Sequence, residues 1–315
     1  MQRMIDKTQP EAAADKTQPE AAAVARSACE PSQTTGASQT TGLPAALDGE
    51  SVVDHSSDLR FLAYYAQASL SDETRGRFER VRDWALVLLA ERGRKQEVFD
   101  VLDIGCGAGT QALLWAERGH RVRALDVNEP LVQIAVQRAM ERGFNVDFRV
   151  GTATKLPFES CSADVVLLPE LLEHVADWEA CLAEAARVVR PGGLLYVSTT
   201  NKLCPLQSEF NLPLYSWYPA SIKRWCVRKC LESHPHWANY ARFPAVNWFT
   251  YYGLRNWLSE RGFSSLDRFD VLSRKPLSPA ARTILGAVRA APPLRFLGQM
   301  MTGSSIVWAF KEQAE

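Results

Sequence analysis

Metal-type cysteine pairs, long apolar runs and an excess of either charge are all missing from this sequence of 315 residues. Its cysteines stand at 29, 106, 161, 181, 204, 226 and 230, with no CxxC pair and no zinc-type Cys/His cluster. That excludes a structural zinc module, and the odd, scattered set reads as free thiols in a reducing compartment. No stretch of about 18 uncharged apolar residues occurs, so no membrane-spanning helix is expected. The first residues also lack the apolar core of a secretory signal, and a cytoplasmic location is expected, with peripheral membrane contact as a further option. Lys plus Arg number 36 and Asp plus Glu number 36. Without a basic excess, nucleic acid is not an expected partner.

Large apolar residues are almost absent from the first 50 positions. DKTQPEAAA occurs at Asp6–Ala14 and again at Asp15–Ala23, and SQTTG begins at Ser32 and at Ser38. Such a segment cannot bury enough surface to offset its ordering entropy. Residues 1–52 are therefore read as a disordered, low-complexity tail.

Residues 53–96 read as an N-terminal helical cap, with Phe78, Val81, Trp84, Leu88 and Leu89 recurring at helix spacing and Gly93 closing the run. From 97 onward short β-rich runs alternate with amphipathic ones. Strands are expected at 98–104, 122–126, 146–150, 164–168, 194–199, 266–272 and 306–310. Helices are expected at 108–118, 130–142, 177–190, 251–261 and 279–300. This alternation implies parallel βαβ units and an α/β domain over 97–315. Residues 203–250 break the rhythm with Phe210, Tyr215, Trp217, Tyr218, Trp225, Trp237 and Tyr240. This aromatic insert is read as a substrate cover.

One motif carries the chemistry. VLDIGCGAGT, from Val101 to Thr110, follows a strand and opens a helix. Its glycines let the backbone approach a ligand, and the helix N-terminus offers free N–H groups and positive potential. The spacing is GxGxG rather than the GxGxxG of dinucleotide sites, and Asp103 sits two places before the first glycine. Asp126, at the end of the next strand, can accept both hydroxyls of a ribose.

VLDIGCGAG, LDVNEPLV, GTATKLPF, ADVVLLPELLEHVADW and RVVRPGGLLYVSTTN together resemble, in order and at family spacing, the motifs of class I S-adenosylmethionine-dependent methyltransferases. The resemblance covers about residues 95–201. It implies a Rossmann-like, seven-stranded, mainly parallel sheet with helices on both faces and the last strand antiparallel. It implies that Asp103, Gly105, Cys106, Gly107, Asp126, Val127 and Glu170 contact S-adenosylmethionine, with Thr152 and Ala153 at the adenine. Thr152 departs from the Asp of many relatives, and a hydroxyl accepts a hydrogen bond more weakly there.

ELLEHV followed by STTN is most similar to ubiquinone-biosynthesis-type O-methyltransferases, and the likeness is confined to the cofactor half. In that subgroup Glu170, Glu173 and His174 are implied to bind a divalent cation, and hard oxygen ligands suit Mg²⁺. His174, assisted by Glu173, reads alternatively as a general base. The expected reaction is methyl transfer to a small-molecule acceptor, a hydroxyl of a phenol, quinone-type or lipid-like compound. A sugar or amine acceptor, a non-catalytic binding protein and an NAD-dependent oxidoreductase are the alternatives. The basic-apolar run Ile222–Lys229 and the apolar stretch Thr283–Met301 suggest contact with a membrane surface.

Overall fold

The computed structural model describes residues 67–206, 209–238 and 245–313. Every described residue belongs to one unit, within Gln39–Glu315. The expected tail, and residues 53–66 of the expected cap, lie outside the described residues.

Helix α1 spans Asp72–Glu91, opened by Ser71, whose hydroxyl accepts from the Thr74 N–H at 3.3 Å. Then follow β1 Asp100–Ile104, α2 Thr110–Ala116, β2 Arg121–Asp126, α3 Glu129–Glu141, β3 Val146–Val150, β4 Ala163–Pro169, α4 Trp178–Val188 and β5 Val189–Thr200. The insert supplies α5 Ala220–Glu232, and the chain ends with α6 Tyr251–Ser259, β6 Phe263–Leu266, α7 Arg268–Leu272, α8 Pro279–Ala290, α9 Pro292–Met300 and β7 Ser304–Lys311.

The seven strands form one sheet in the order β3-β2-β1-β4-β5-β7-β6. The pairs β1–β2, β1–β4, β2–β3 and β4–β5 are parallel, while β7 runs antiparallel to both β5 and β6. The order reverses between β1 and β4, and in such sheets ligands bind beyond the carboxyl ends of the strands at that point.

Strand β4 is buried on both faces, as parallel strands covered by helices are, and apart from Asp164, which pairs with Arg94 and Arg190, its buried residues are apolar. One core joins Val166, Leu168 and Val197 to Leu182 and Ala185 of α4 and to Leu254 and Leu258 of α6. The opposite core joins Val165, Leu167 and Tyr196 to Leu88 and Leu89 of α1 and to Trp115 of α2.

Three expectations shift. Residues 266–272 are not a strand: β6 ends at Leu266, and Asp267 caps a helix, its carboxylate accepting from the Phe269 and Asp270 N–H groups. A local cap decides the backbone conformation there. The stretch 279–300 is two helices, broken where Ala291 turns extended ahead of Pro292. Five cysteines are free thiols, at 106, 181, 204, 226 and 230, but Cys161 is not, and Cys29 lies outside the described residues. Among the described residues no helix is long and apolar enough to cross a membrane.

The described part of the insert makes a small core of its own. Phe210, Tyr215, Cys226 and Cys230 are buried together, with Trp237 and Trp248 packed alongside. Lys223 donates to the Ser216 carbonyl at 2.8 Å and lies 4.4 Å above the Trp248 ring, so this cation of the basic-apolar run faces inward.

Candidate active site

The turn from β1 to α2 is shaped by left-handed glycines. Gly105 and Gly109 have φ of 75° and 78°. A Cβ on Gly105 would come within 2.9 Å of Leu171 Cδ1, and one on Gly109 within 2.7 Å of Ala135 Cβ and 3.1 Å of the Phe148 ring. Side chains are therefore excluded both by backbone conformation and by space. The turn is stitched to β2, with the Gly105 and Cys106 N–H groups donating to the Leu125 carbonyl at 2.8 and 3.1 Å.

Asp126 closes that stitch. Its Oδ2 accepts the Gly107 N–H at 2.8 Å and its Oδ1 accepts the Asn128 N–H at 2.8 Å. Burial raises its pKa and these backbone donors counter the rise. A carboxylate has about four lone-pair positions, so two remain for further donors such as a pair of hydroxyls.

Asp103 lies beneath the turn, fully buried, and neither of its oxygens has a hydrogen-bond partner. The nearest compensating group is the Ala112 backbone N–H of α2, which falls short of hydrogen-bond geometry. Burial, reinforced by the charge of Asp126, pushes the Asp103 carboxyl up to about 7. An uncompensated buried carboxylate is costly, and it marks a place where a cationic ligand group would be welcome. Cys106 is buried beside it with a thiol pKa raised by desolvation, so it lines the turn without being ionised.

Val127 is 62% exposed and Thr152 is exposed, its hydroxyl 2.8 Å from that of Thr154. Gly151 donates to the Asp126 carbonyl at 2.9 Å, which holds the Thr152–Ala153 turn against the end of β2. The residues expected at a nucleoside thus gather at the carboxyl ends of β1, β2 and β3.

Glu170, after β4, has φ of 51° and its carboxylate pairs with Arg77 of α1. Its N–H donates to the Ser198 carbonyl of β5 at 2.7 Å. Glu173 behaves differently, being only 2% exposed and accepting the Thr199 hydroxyl on Oε2 at 2.7 Å. Burial pushes its carboxyl up to about 8, against the pull of Thr199, with the charges of Glu170 and Glu209 adding to the rise. His174 is exposed on the next residue, its N–H bonded to the Leu171 carbonyl at 3.0 Å.

The expected metal ligands are therefore not assembled. Glu170 is turned to an arginine, Glu173 is sealed against a threonine, and His174 faces outward. Among the described residues no group of three or more His, Cys, Asp or Glu side chains is arranged to hold a metal ion.

Sequence reasoning missed the residues that build this corner. Asn247, at the end of the insert, donates to the Leu172 and Val175 carbonyls at 3.1 and 2.6 Å. The Val246 and Asn247 N–H groups donate to the Glu173 carbonyl at 2.8 and 3.1 Å. The insert is thereby latched onto the turn that carries Glu170, Glu173 and His174. Arg77 gave no signal beyond a charge on a helix face.

Residues 102–197 match the family model described as a methyltransferase domain. That segment is a methyltransferase domain of the class I, S-adenosylmethionine-dependent kind. The methyltransferase domain holds Asp103, the glycine turn, Asp126, Thr152 and the Glu170–His174 turn. A ubiquinone biosynthesis O-methyltransferase from Caulobacter vibrioides is 33% identical over 155 residues, covering 46% of this chain and 60% of that relative. One from Rhizobium rhizogenes is 43% identical over 109 residues, covering 35% of this chain and 44% of the relative. The chain thus spans about half the length of these curated relatives. A solved protein from Pyrococcus horikoshii OT3 shares 31% identity over 42% of this chain and 60% of its own, with a TM-score of 0.36.

Proposed function

We propose that the chain transfers the methyl group of S-adenosylmethionine to a hydroxyl of a small phenol, quinone-type or lipid-like acceptor. The observation that carries this reading is the unpartnered, buried Asp103 under a side-chain-free turn, with Asp126 one strand away. A cationic amino-acid end, a bare backbone approach and a ribose-binding carboxylate fit one nucleoside ligand together. Asp126 would hold the ribose, Thr152 and Ala153 the adenine, and the turn from Gly105 to Gly109 the amino-acid end, with Val127 at its rim. When bound, the cofactor supplies a sulfonium carbon already activated for attack.

The chain's own residues then have little covalent work. Positioning supplies most of the rate in such a transfer. His174, exposed on the turn that follows Glu170, takes the proton of the acceptor hydroxyl as a general base. Glu173 acts through position: sealed and protonated near neutrality, it fixes the turn that presents His174. The insert 203–250 covers the acceptor, held by Asn247. The names of the Caulobacter and Rhizobium relatives support an oxygen acceptor, within the cofactor half that aligns.

Exposed Ile284, Leu294, Phe296 and Leu297 on α8 and α9 support peripheral contact with a lipid surface. Consumption of S-adenosylmethionine across catechols, quinols, sugars and amines tests the reaction. Turnover with a catechol or quinol supports it, and turnover confined to amines removes the hydroxyl assignment.

A further inference from the structure

A cavity of about 280 Å³ opens at the carboxyl end of β5, on the α1 side of the sheet, with Glu170 in its wall. Its lining combines aromatic residues, Trp84, Tyr196 and Trp308, with the cations Arg77, Arg80, Arg268 and Lys275. Glu170 is the one carboxylate in the cavity's lining among the described residues, and Arg77 already pairs with it.

The other three cations have no ion pair among the described residues. Arg268 is anchored by donating to the Ser304 carbonyl, and its Nε is buried without a hydrogen-bond partner. The neighbouring Asp267 does not serve it, because that carboxylate is taken by Arg295 at 2.7 Å and Gln299 at 2.9 Å. Arg268 is partly buried, with its Nε sealed from solvent, and a planar guanidinium fork suits a carboxylate or a phosphate.

We propose that this cavity binds an anionic substituent of the acceptor, with Arg268 as the anchor, Arg80 and Lys275 at the rim, and the ring or chain that bears it lying on Trp84 and Trp308. The inference rests on the methyl-transfer reading for the word acceptor, since Glu170 joins the cavity to the glycine turn through Leu171. The substrate class is then an apolar, hydroxylated compound carrying a carboxylate or phosphate.

Trp84 and Trp308 give an intrinsic fluorescence readout. The full chain is titrated with benzoate, phenyl phosphate and the neutral isostere benzamide, and the same samples are titrated calorimetrically with S-adenosylhomocysteine. We expect saturable quenching by benzoate or phenyl phosphate, at least tenfold weaker response to benzamide, and at least tenfold loss of affinity in Arg268→Gln. Tighter binding of benzoate assigns a carboxylate, and tighter binding of phenyl phosphate assigns a phosphate. Lys275→Met, on the exposed rim, should lose several-fold and guards against an Arg268 variant that fails to fold. Benzamide binding as well as benzoate, or no saturable binding by either anion, overturns the proposal. Retained S-adenosylhomocysteine binding in that case leaves the methyl-transfer reading standing, whereas anion binding without it removes that reading alone.

Discussion

Thr199 on β5 donates a 2.7 Å hydrogen bond to Glu173, and the backbone carbonyl of the same Glu173 receives the N–H groups of Val246 and Asn247. One buried residue therefore ties the central sheet, the turn after β4 and the end of the aromatic insert into a single corner. The exposed His174 is presented from that corner.

Glu173 should make the fold weaker as pH rises. Its folded pKa of about 8 stands above the ordinary 4.5, so the folded state keeps a proton the unfolded chain has lost. The stabilisation is complete below about 4.5, declines as pH rises, and is gone above about 8. Glu173→Gln keeps an acceptor for Thr199 and removes the ionisation. Relative to wild type it should gain on the order of 2 kcal/mol between pH 5 and 8, at roughly 1.4 kcal/mol per pH unit at most. Chemical denaturation at several pH values reads this, and parallel pH profiles for the two proteins would count against it. Asp103 adds a decline of the same sign toward its own pKa of about 7.

The glycine turn has a steric test. Gly105→Ala places a methyl group 2.9 Å from Leu171 Cδ1 at a φ of 75°. A loss of about 1–2 kcal/mol is expected from the backbone strain alone. Leu171→Ala in the same chain should recover only the contact part, leaving the strain. Full recovery in the double variant would show that the backbone conformation costs nothing.

Metal removal should change little. Because Glu170, Glu173 and His174 do not converge, turnover after exhaustive chelation and dialysis should stay within about twofold of the untreated enzyme. Loss of activity on chelation, restored by Mg²⁺, would show that the turn after β4 rearranges into a ligand set.

Ligand affinity should depend on the charge of Asp103. A cationic group beside it favours the ionised carboxyl, so affinity for S-adenosylmethionine should fall as pH drops from 8 to 6, through the Asp103 pKa of about 7. Asp103→Asn should bind more weakly and flatten this dependence. A wild-type affinity constant over that range would separate Asp103 from the ligand.

The sheet was legible because each parallel strand is a short β-rich run bounded by turn residues, and Val146–Val150 falls where the pattern placed it. The glycine turn was legible for a related reason: left-handed φ and the close approach of Leu171 and Ala135 demand glycine at 105 and 109, and that demand is written in residue type. The stretch after Leu266 was misread because a capping Asp acts over three residues and leaves no periodic trace. Glu170 and Glu173 pair with Arg77 and Thr199, residues 93 and 26 positions away, and spacing along a turn does not show such partners. Asn247 and Arg268 act across distances of 72 and 36 residues, and nothing local in the sequence points to such partners.

Calorimetric titration with S-adenosylhomocysteine, on wild type and Asp126→Ala side by side, tests the central claim most directly. Saturable binding with one site per chain is expected for wild type. In the variant the loss of the carboxylate proposed to hold the ribose should weaken binding roughly 30-fold or more, equivalent to about 2 kcal/mol. Absence of any heat in a folded wild-type protein, or equal affinity in the two proteins, would contradict the account.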